Sequence, residues 1–320
     1  MPARGRTRRL VTAGGGRRVF MSRVYGVLLL ALWLGACATV PDELVVIHPP
    51  QSMPLRPAVA EKKLVIGIAL GGGATRGFAH VGVLNALEKN GIVADVVAGT
   101  SAGAVAGVFY AAGIRGDRLE EAAEQLHRSR IVDWSFSGRG FIRGELLQDY
   151  VNNAIGNRQI EDLPTRFAAT ATDLDNGKLV VFTRGDAGIA VRASSTIPGL
   201  VSPVNVNGRD YVDGGLVSRV PVQLAKQLGA DVVIAVDVSR TPHDHLALDS
   251  TFAVVQQAYV IMSQAVLERD LLHADIIIRP DIGIMSLGDF DLKDNAMAAG
   301  ERAAMAALPK IKRLLKEKGR

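Results

Sequence analysis

The stretch Gly99-Thr100-Ser101-Ala102-Gly103 lies between two apolar runs, residues 92–97 and residues 104–112. The first run has the composition of a buried strand, and the second has that of a buried helix. A serine in the pattern G-x-S-x-G between a strand and a helix is typical of a nucleophile elbow, whose sharp turn lifts the hydroxyl above the sheet. The two glycines leave room for the strand and helix to approach closely, and the free amides at the helix start favour negative charge near Ser101.

A glycine-rich turn precedes this elbow in the chain. Residues 62–70 predict a first strand, which runs into Gly71-Gly72-Gly73-Ala74-Thr75-Arg76-Gly77, and residues 78–90 predict a helix that ends at Gly91. The turn does not fit a dinucleotide fingerprint, because Ala74 and Arg76 stand where glycines are required. Consecutive glycines expose backbone amides that can converge on one oxygen, so we interpret the turn as an oxyanion loop. Arg76 would then be a cation beside the anion or a plain ion-pair partner.

The rest of the chain alternates predicted strands with predicted helices. The strands are residues 167–172, 178–183, 231–238 and 275–279, and the helices are residues 117–127, 145–155, 187–195, 220–228, 252–272 and 295–318, the last interrupted near Pro309. This alternation predicts an α/β fold with a largely parallel central sheet flanked by helices on both faces. Residues 133–144 hold three aromatic residues among glycines and arginines, which predicts either a loop that contacts an acyl chain or a plug of aromatics in the core.

The positive charge of the chain is concentrated at its start. The 320 residues have a net charge of +5, but seven arginines and no acidic residue lie in residues 1–36, and the remainder is slightly acidic. The composition therefore gives no support for binding to nucleic acid.

The same N-terminal segment has the features of an export signal. Residues 24–34 are apolar, too short to span a bilayer comfortably, and have the length of a signal-peptide core. Leu34-Gly35-Ala36-Cys37 resembles the lipobox of bacterial lipoproteins, and Cys37 is the only cysteine of the chain. The sequence predicts a signal peptide in residues 1–36, with Met21 as an alternative start, a lipid on Cys37, and a proline-rich linker over residues 37–61. The alternatives are an ordinary signal peptide with an incidental cysteine, and a first segment that packs on the domain.

A serine nucleophile needs a base, and histidine is the usual one. None of the six histidines has a local signature. His273 occupies the place in chain order that a Ser-His-Asp hydrolase of the α/β class would accept.

Three motifs in this order, Gly72-Gly73-Ala74-Thr75-Arg76-Gly77, Gly99-Thr100-Ser101-Ala102-Gly103 and Asp213-Gly214-Gly215, resemble the patatin-like phospholipase family. Shorter similarities lie at residues 79–84 and 193–198, and the resemblance extends over residues 64–237. It implies a three-layer α/β architecture and acyl-ester hydrolysis by a Ser-Asp dyad, with Ser101 as nucleophile and Asp213 as base. The same resemblance implies that amides around Gly72, Gly73 and Ala74 stabilise the oxyanion, with Arg76 and Gly77 in the same loop. Ala74 stands where many members have glycine.

The resemblance also implies membrane phospholipid or lysophospholipid substrates and no metal or cofactor. With the lipobox, it predicts a hydrolase domain over residues 62–320 that is lipid-anchored in the bacterial cell envelope. The residue after Cys37 is alanine rather than aspartate, which favours the periplasmic face of an outer membrane. Two other functions stay open: a non-catalytic envelope scaffold that retains the fold, and a Ser-His-Asp esterase that uses His273.

Overall fold

A computed structural model of the chain describes residues 46–47, 64–135, 138–244 and 248–319. The predicted signal peptide, Cys37 and most of the predicted linker lie outside the described residues. Within those ranges, no helix combines the length and the apolar composition needed to cross a bilayer.

In the described part of the chain, nine strands form one central sheet. Its main path runs β1-β5-β4-β3-β2-β8-β9, and a hairpin of β6 and β7 joins it where β7 pairs with β4. The strands are β1 (Val46–Ile47), β2 (Ile66–Leu70), β3 (Val96–Thr100), β4 (Arg166–Asp173), β5 (Leu179–Phe182), β6 (Val204–Val206), β7 (Arg209–Asp213), β8 (Val232–Val236) and β9 (Ile276–Ile278). Strands β4, β3, β2, β8 and β9 are parallel, which confirms the predicted fold class.

Strand β1 comes from the segment predicted to be a linker. Val46 and Ile47 pair antiparallel with Phe182 and Val181 of β5 and so extend one edge of the sheet. At these two residues the segment therefore contributes backbone to the sheet, and for the other residues of 37–61 the linker stays a prediction.

Helices cover both faces of the sheet. They are α1 (Ala79–Lys89), α2 (Ala102–Ala111), α3 (Asp117–Gln125), α4 (Arg128–Ile131), α5 (Glu145–Ile155), α6 (Ala187–Ser194), α7 (Val222–Gln227), α8 (Thr251–Leu271) and α9 (Lys293–Glu317). Side chains alternate along β2, so Ile66, Ile68 and Leu70 pack into one apolar cluster while Ala69 packs into the second, beneath α7 and α8. Burial on both faces explains why the parallel strands are continuous apolar runs in the sequence.

Helix α9 does not break at Pro309, contrary to the sequence prediction. It is continuous from Lys293 to Glu317 with the proline inside it. A proline in a helix interior costs about 3 kcal/mol. Leu308, Ile311 and Leu315 on both sides of it are buried in the core cluster, and this burial offsets the cost.

The register of β4 brings two strand ends together. Strand β3 runs parallel to the first part of β4 and ends with Thr100 opposite Thr170. Strand β7 runs antiparallel to the last part of β4 and ends with Asp213 opposite Ala171. Because β5 occupies the other edge of β4, β3 and β7 lie end to end on one edge with their carboxyl ends facing each other.

Candidate active site

Ser101 lies on a strained turn between β3 and α2. Its backbone has φ 53° and ψ −123°, in a region that side-chain-bearing residues rarely adopt, at a cost of about 1–3 kcal/mol. The two flanking glycines allow this turn. A Cβ on Gly103 would lie 2.1 Å from the carbonyl oxygen of Leu70, and one on Gly99 would lie 2.5 Å from the Cα of Ala104. The structure therefore has the strand-turn-helix geometry that the sequence predicts for a nucleophile elbow.

Buried hydroxyl groups hold the elbow in place. The backbone amide of Ser101 donates to the Oγ of Ser194 on α6 at 2.8 Å. The Oγ1 of Thr100 lies 2.7 Å from that of Thr170 and donates to the carbonyl of Ser218 at 3.0 Å. Sequence reasoning assigned no role to these groups, although Ser194 belongs to one of the shorter similarities, residues 193–198. They fix the position of the Ser101 backbone.

Asp213 lies beside Ser101 at the end of β7. Its carboxylate accepts a hydrogen bond from the amide of Gly215 at 2.7 Å, and the side chain is almost fully buried. Burial raises the pKa of the Asp213 carboxyl. A hydrogen bond from the Ser101 side chain, the Gly215 amide and the charge of Arg219 act in the opposite direction. The structure thus brings the two residues of the expected dyad together and gives the carboxylate more basicity than an exposed aspartate has.

The glycine loop presents two free amides rather than the wider set expected from the sequence. The Gly72 amide donates to the Arg219 carbonyl at 3.0 Å, so it is not available to an oxyanion. In the described part of the chain, the amides of Gly73 and Ala74 donate to no protein acceptor. The loop abuts the nucleophile, because a Cβ on Gly72 would lie 3.3 Å from the Cβ of Ser101. Ala74 has φ 51°, in the left-handed region that favours glycine.

Arg76 and Gly77 hold the loop against neighbouring segments. The Arg76 guanidinium donates to the carbonyls of Val238 at 2.9 Å and Gly283 at 2.6 Å. These buried bonds fix the position of the guanidinium, and Arg76 is not among the residues that line the cavity at Ser101; the prediction of a cation beside the anion stays a prediction. Gly77 packs on the start of α2, since a Cβ there would lie 2.4 Å from that of Ala102.

His80, on α1, holds the start of the same loop through a hydrogen bond. It is fully buried, and its Nε2 lies 2.8 Å from the carbonyl oxygen of Gly71. Burial lowers the pKa of His80 to about 4, so the ring is neutral at pH 7. A carbonyl only accepts hydrogen bonds, so Nε2 carries the proton and donates it.

His273 lies far from the serine in the topology of the sheet. It is exposed in the turn between α8 and β9, before the amino end of β9. Ser101 follows the carboxyl end of β3, and the strands from β3 to β9 are parallel. The two residues therefore lie at opposite edges of the sheet, and the structure does not form a triad with His273. In the described ranges, no group of three or more metal-ligating side chains is placed to hold an ion.

A cavity of about 370 Å³ opens beside the nucleophile. Its wall is mostly apolar and is formed by the glycine loop, by α2 and by the region between α3 and α5. Ser101, Ala74 and Gly77 line it together with Phe109 and Leu147. Trp134 and Ile142 also line it, so part of residues 133–144 belongs to the cavity wall. The two described aromatics of that loop, Trp134 and Phe141, are exposed rather than packed in the core, and residues 136–137 lie outside the described residues. Such a cavity fits a hydrocarbon chain whose carbonyl end lies at Ser101.

Two further residues act electrostatically on Asp213 and have no signal in the sequence. The Arg219 guanidinium lies 5.5 Å from the ring centre of Tyr259 on α8. A Cβ on Gly215 would lie 2.7 Å from the Tyr259 hydroxyl and 2.9 Å from the Asp213 carboxylate. Burial and the charge of Asp213 raise the pKa of Tyr259, so the phenol stays protonated.

Comparison with known proteins agrees with the family resemblance that the three motifs carry. A family model described as patatin-like phospholipase matches residues 68–226, which include all three motifs. The chain is 41% identical over 177 residues to an uncharacterised NTE family protein of Mycobacterium tuberculosis, a match that covers 54% of this chain and 49% of that protein. It is 34% identical over 180 residues to a lysophospholipase of Yarrowia lipolytica, covering 54% of this chain and 12% of that protein.

A solved structure has a similar fold. VipD from Legionella pneumophila superposes with a TM-score of 0.55 at 15% identity, over 89% of this chain and 73% of that one. The chain spans about half the length of the mycobacterial relative and a much smaller part of the lysophospholipase.

Proposed function

The chain belongs to the patatin-like phospholipase family, and from this premise we propose that it hydrolyses acyl esters of phospholipids or lysophospholipids. The observation that supports this most directly is the strained Ser101 turn at an apolar cavity, with the buried Asp213 carboxylate as its partner. A nucleophile, a base with a raised pKa and space for a hydrocarbon chain are the parts that such a reaction needs.

The first half of the reaction forms an acyl-enzyme. The Ser101 Oγ attacks the ester carbonyl carbon while its proton passes to Asp213. The resulting oxyanion faces the free amides of Gly73 and Ala74 and the amino end of α2, which stabilise negative charge. The tetrahedral intermediate collapses, the carbon–oxygen bond to the leaving alcohol breaks, and Asp213 returns the proton to that alcohol.

The second half releases the fatty acid. Asp213 takes a proton from a water molecule, which attacks the acyl carbonyl and forms a second tetrahedral intermediate. Its collapse breaks the bond to Ser101, and the proton on Asp213 returns to the serine. No group other than the dyad, the loop amides and water is needed in either half.

We also propose that the protein is tethered to the envelope by a lipid on Cys37. The support is the lipobox Leu34-Gly35-Ala36-Cys37 after the apolar run of residues 24–34. Such a tether would hold the cavity near membrane lipid and raise its effective concentration.

The test of the reaction compares Ser101→Ala, Asp213→Asn and His273→Ala in one soluble short-chain ester assay and on a panel of phospholipids and lysophospholipids. We expect the first two variants to lose about a thousandfold or more in turnover, and His273→Ala to keep the parent's activity. A fluorophosphonate probe should label the parent at Ser101 and leave Ser101→Ala unlabelled.

The alternatives give different results. A parent protein that neither hydrolyses any ester nor reacts with the probe would support a scaffold. An active Asp213→Asn beside a folded but inactive His273→Ala would support a Ser-His-Asp esterase. Circular dichroism of each variant checks that the fold is intact.

A further inference from the structure

Helix α8 exposes a long apolar face. The segment from Thr251 to Leu267 holds no charged residue. Its inward side packs through Val260, Ser263 and Leu267, whereas the opposite side presents exposed apolar residues, namely Val254, Val255, Ile261 and Met262, of which Met262 is 67% exposed. Contiguous apolar surface of this kind marks an interaction site when it continues into a functional site.

This face continues to the mouth of the cavity that holds Ser101. Phe252, at the start of α8, is 44% exposed and also lines the cavity. Trp134, which lines the cavity from residues 133–144, is 59% exposed, as is Phe141 in the same loop. Exposed aromatic side chains from two separate elements, Phe252 on α8 and Trp134 in residues 133–144, therefore line the cavity that holds Ser101.

Exposed arginines lie in and near residues 133–144, the loop that carries Trp134 and Phe141. Arg128, Arg130, Arg139 and Arg143 are all exposed within 16 residues of sequence. Arg139 pairs with Asp210 and Arg143 with Glu145, whereas Arg128 and Arg130 form no ion pair with any described residue. The Arg128 guanidinium lies 5.9 Å from the ring centre of Trp134 at the cavity wall. Basic and aromatic side chains around an apolar surface are typical of contact with anionic lipid head groups.

We propose that the exposed face of α8 (Val254, Val255, Ile261 and Met262), with Phe252, Trp134 and Phe141, is a docking face that binds the surface of an anionic phospholipid bilayer. The proposal rests on the proposed function, because a lipid hydrolase must place its cavity mouth against the bilayer. A second copy of the chain fits less well, since a two-fold pairing around this mouth would bring the same arginines together.

The test measures binding at the docking face itself. The chain has two tryptophans, Trp33 and Trp134. Trp33→Phe removes the first, so the remaining emission comes from Trp134 at the cavity wall even if the N-terminal segment binds lipid separately. All proteins carry Ser101→Ala, which prevents hydrolysis during titration, together with Trp33→Phe and Cys37→Ser, so that the proposed lipid anchor does not contribute to vesicle binding. They are titrated with vesicles of phosphatidylcholine, alone or mixed with phosphatidylglycerol.

The chain offers a matched pair of variants, Met262→Asp on the docking face and Met305→Asp on α9. Met305 is 49% exposed, and its Sδ lies 3.6 Å from the side-chain Nδ2 of Asn90, which follows the end of α1. Helix α1 leads away from the carboxyl edge of the sheet, so this site lies at the opposite edge from Ser101.

We expect mixed vesicles to shift the Trp134 emission to shorter wavelength, and Met262→Asp to weaken that binding about tenfold. Met305→Asp should bind as the parent does. In the background that keeps Ser101, Met262→Asp should hydrolyse the soluble ester normally and vesicle lipid poorly.

Equal vesicle binding by Met262→Asp and the parent would overturn the proposal. Equal binding to neutral and mixed vesicles would contradict the part assigned to the arginines. A change of sedimentation coefficient in Met262→Asp without loss of vesicle binding would identify a self-association surface instead. Failure of the proposed function is separate, because it would appear as absent hydrolysis of every ester while vesicle binding persists.

Discussion

Arg219 connects the dyad to the glycine loop. Its carbonyl accepts the Gly72 amide at 3.0 Å, and its own amide donates to the Asp270 carboxylate at 2.6 Å. Its guanidinium donates to the Ser239 hydroxyl at 3.0 Å and lowers the pKa of Asp213, against the effect of burial. The backbone of this residue positions the loop, and its charge sets how easily Asp213 gives up a proton.

We therefore expect Arg219→Gln to change the pH profile of ester hydrolysis. The reaction needs the ionised form of Asp213, which is present above its pKa and lost as the pH falls through it. Removing the positive charge lets burial raise the pKa further, so the acidic limb of kcat/KM should move to higher pH while activity at alkaline pH is largely retained.

Arg279→Gln is the control, because it removes an arginine charge that pairs with the buried carboxylate of Asp237 at 3.0 Å rather than acting on Asp213. Arg219→Lys should restore most of the parent's profile. An acidic limb that moves to lower pH, or that does not move in Arg219→Gln, would contradict the electrostatic role.

At the scale of elements, the crossing of α1 and α9 holds the glycine loop against the sheet. A Cβ on Gly82 would lie 1.9 Å from the carbonyl oxygen of Met297, and one on Gly300 would lie 2.0 Å from that of Ala79. The two helix backbones therefore touch at these glycines. Helix α1 begins directly after the loop and carries His80, which bonds the Gly71 carbonyl, so a shift of α1 moves the loop amides.

We expect Gly300→Ala to lower the free energy of unfolding by about 2 kcal/mol, because overpacking of a tight contact outweighs the helix propensity that alanine gains. Turnover of a soluble ester should fall as well. Thermal unfolding followed by circular dichroism measures the first effect. Gly288→Ala is the control for stability, since a Cβ there meets no atom within 4 Å. A Gly300→Ala protein as stable as the parent would show that the crossing relaxes at no cost.

At the scale of the whole molecule, the open question is how the folded domain is held at its substrate. The proposed lipid on Cys37 and the proposed docking face act on different steps. The first keeps the protein at a membrane, and the second orients the cavity mouth toward it. Strand β1 lies only nine residues after Cys37 in the sequence and pairs with β5, so the tether between lipid and sheet would be short.

Cys37→Ser should abolish incorporation of labelled palmitate in a bacterial host and leave the precursor unprocessed. Ala38→Ser is the control: it changes the neighbouring residue to the same serine, and the protein should be labelled as the parent is. Palmitate labelling of the Cys37→Ser protein at the parent's level would refute the lipoprotein assignment. Soluble-ester hydrolysis by the purified variant should be unchanged, because no residue of the candidate site lies upstream of Gly71.

Local sequence was sufficient for the elements and for the nucleophile turn. Parallel strands buried on both faces are continuous apolar runs, and a glycine on each side of Ser101 is required wherever a strand and a helix approach so closely. For that reason the α/β class and the elbow could be predicted from neighbouring residues. The continuity of α9 through Pro309 could not, because the burial that offsets the proline depends on a helix more than 200 residues earlier in the chain.

The partners of Ser101 were decided by tertiary structure. Asp213 meets the serine because β3 and β7 occupy one edge of β4 with their carboxyl ends facing, a pairing between segments more than 100 residues apart. The same long-range contacts occupy the Gly72 amide and the Arg76 guanidinium, and they bring Arg219 and Tyr259 to the carboxylate. Sequence determines which groups a segment carries, whereas hydrogen-bond partners and burial depend on distant segments, and these decide which groups remain free to act.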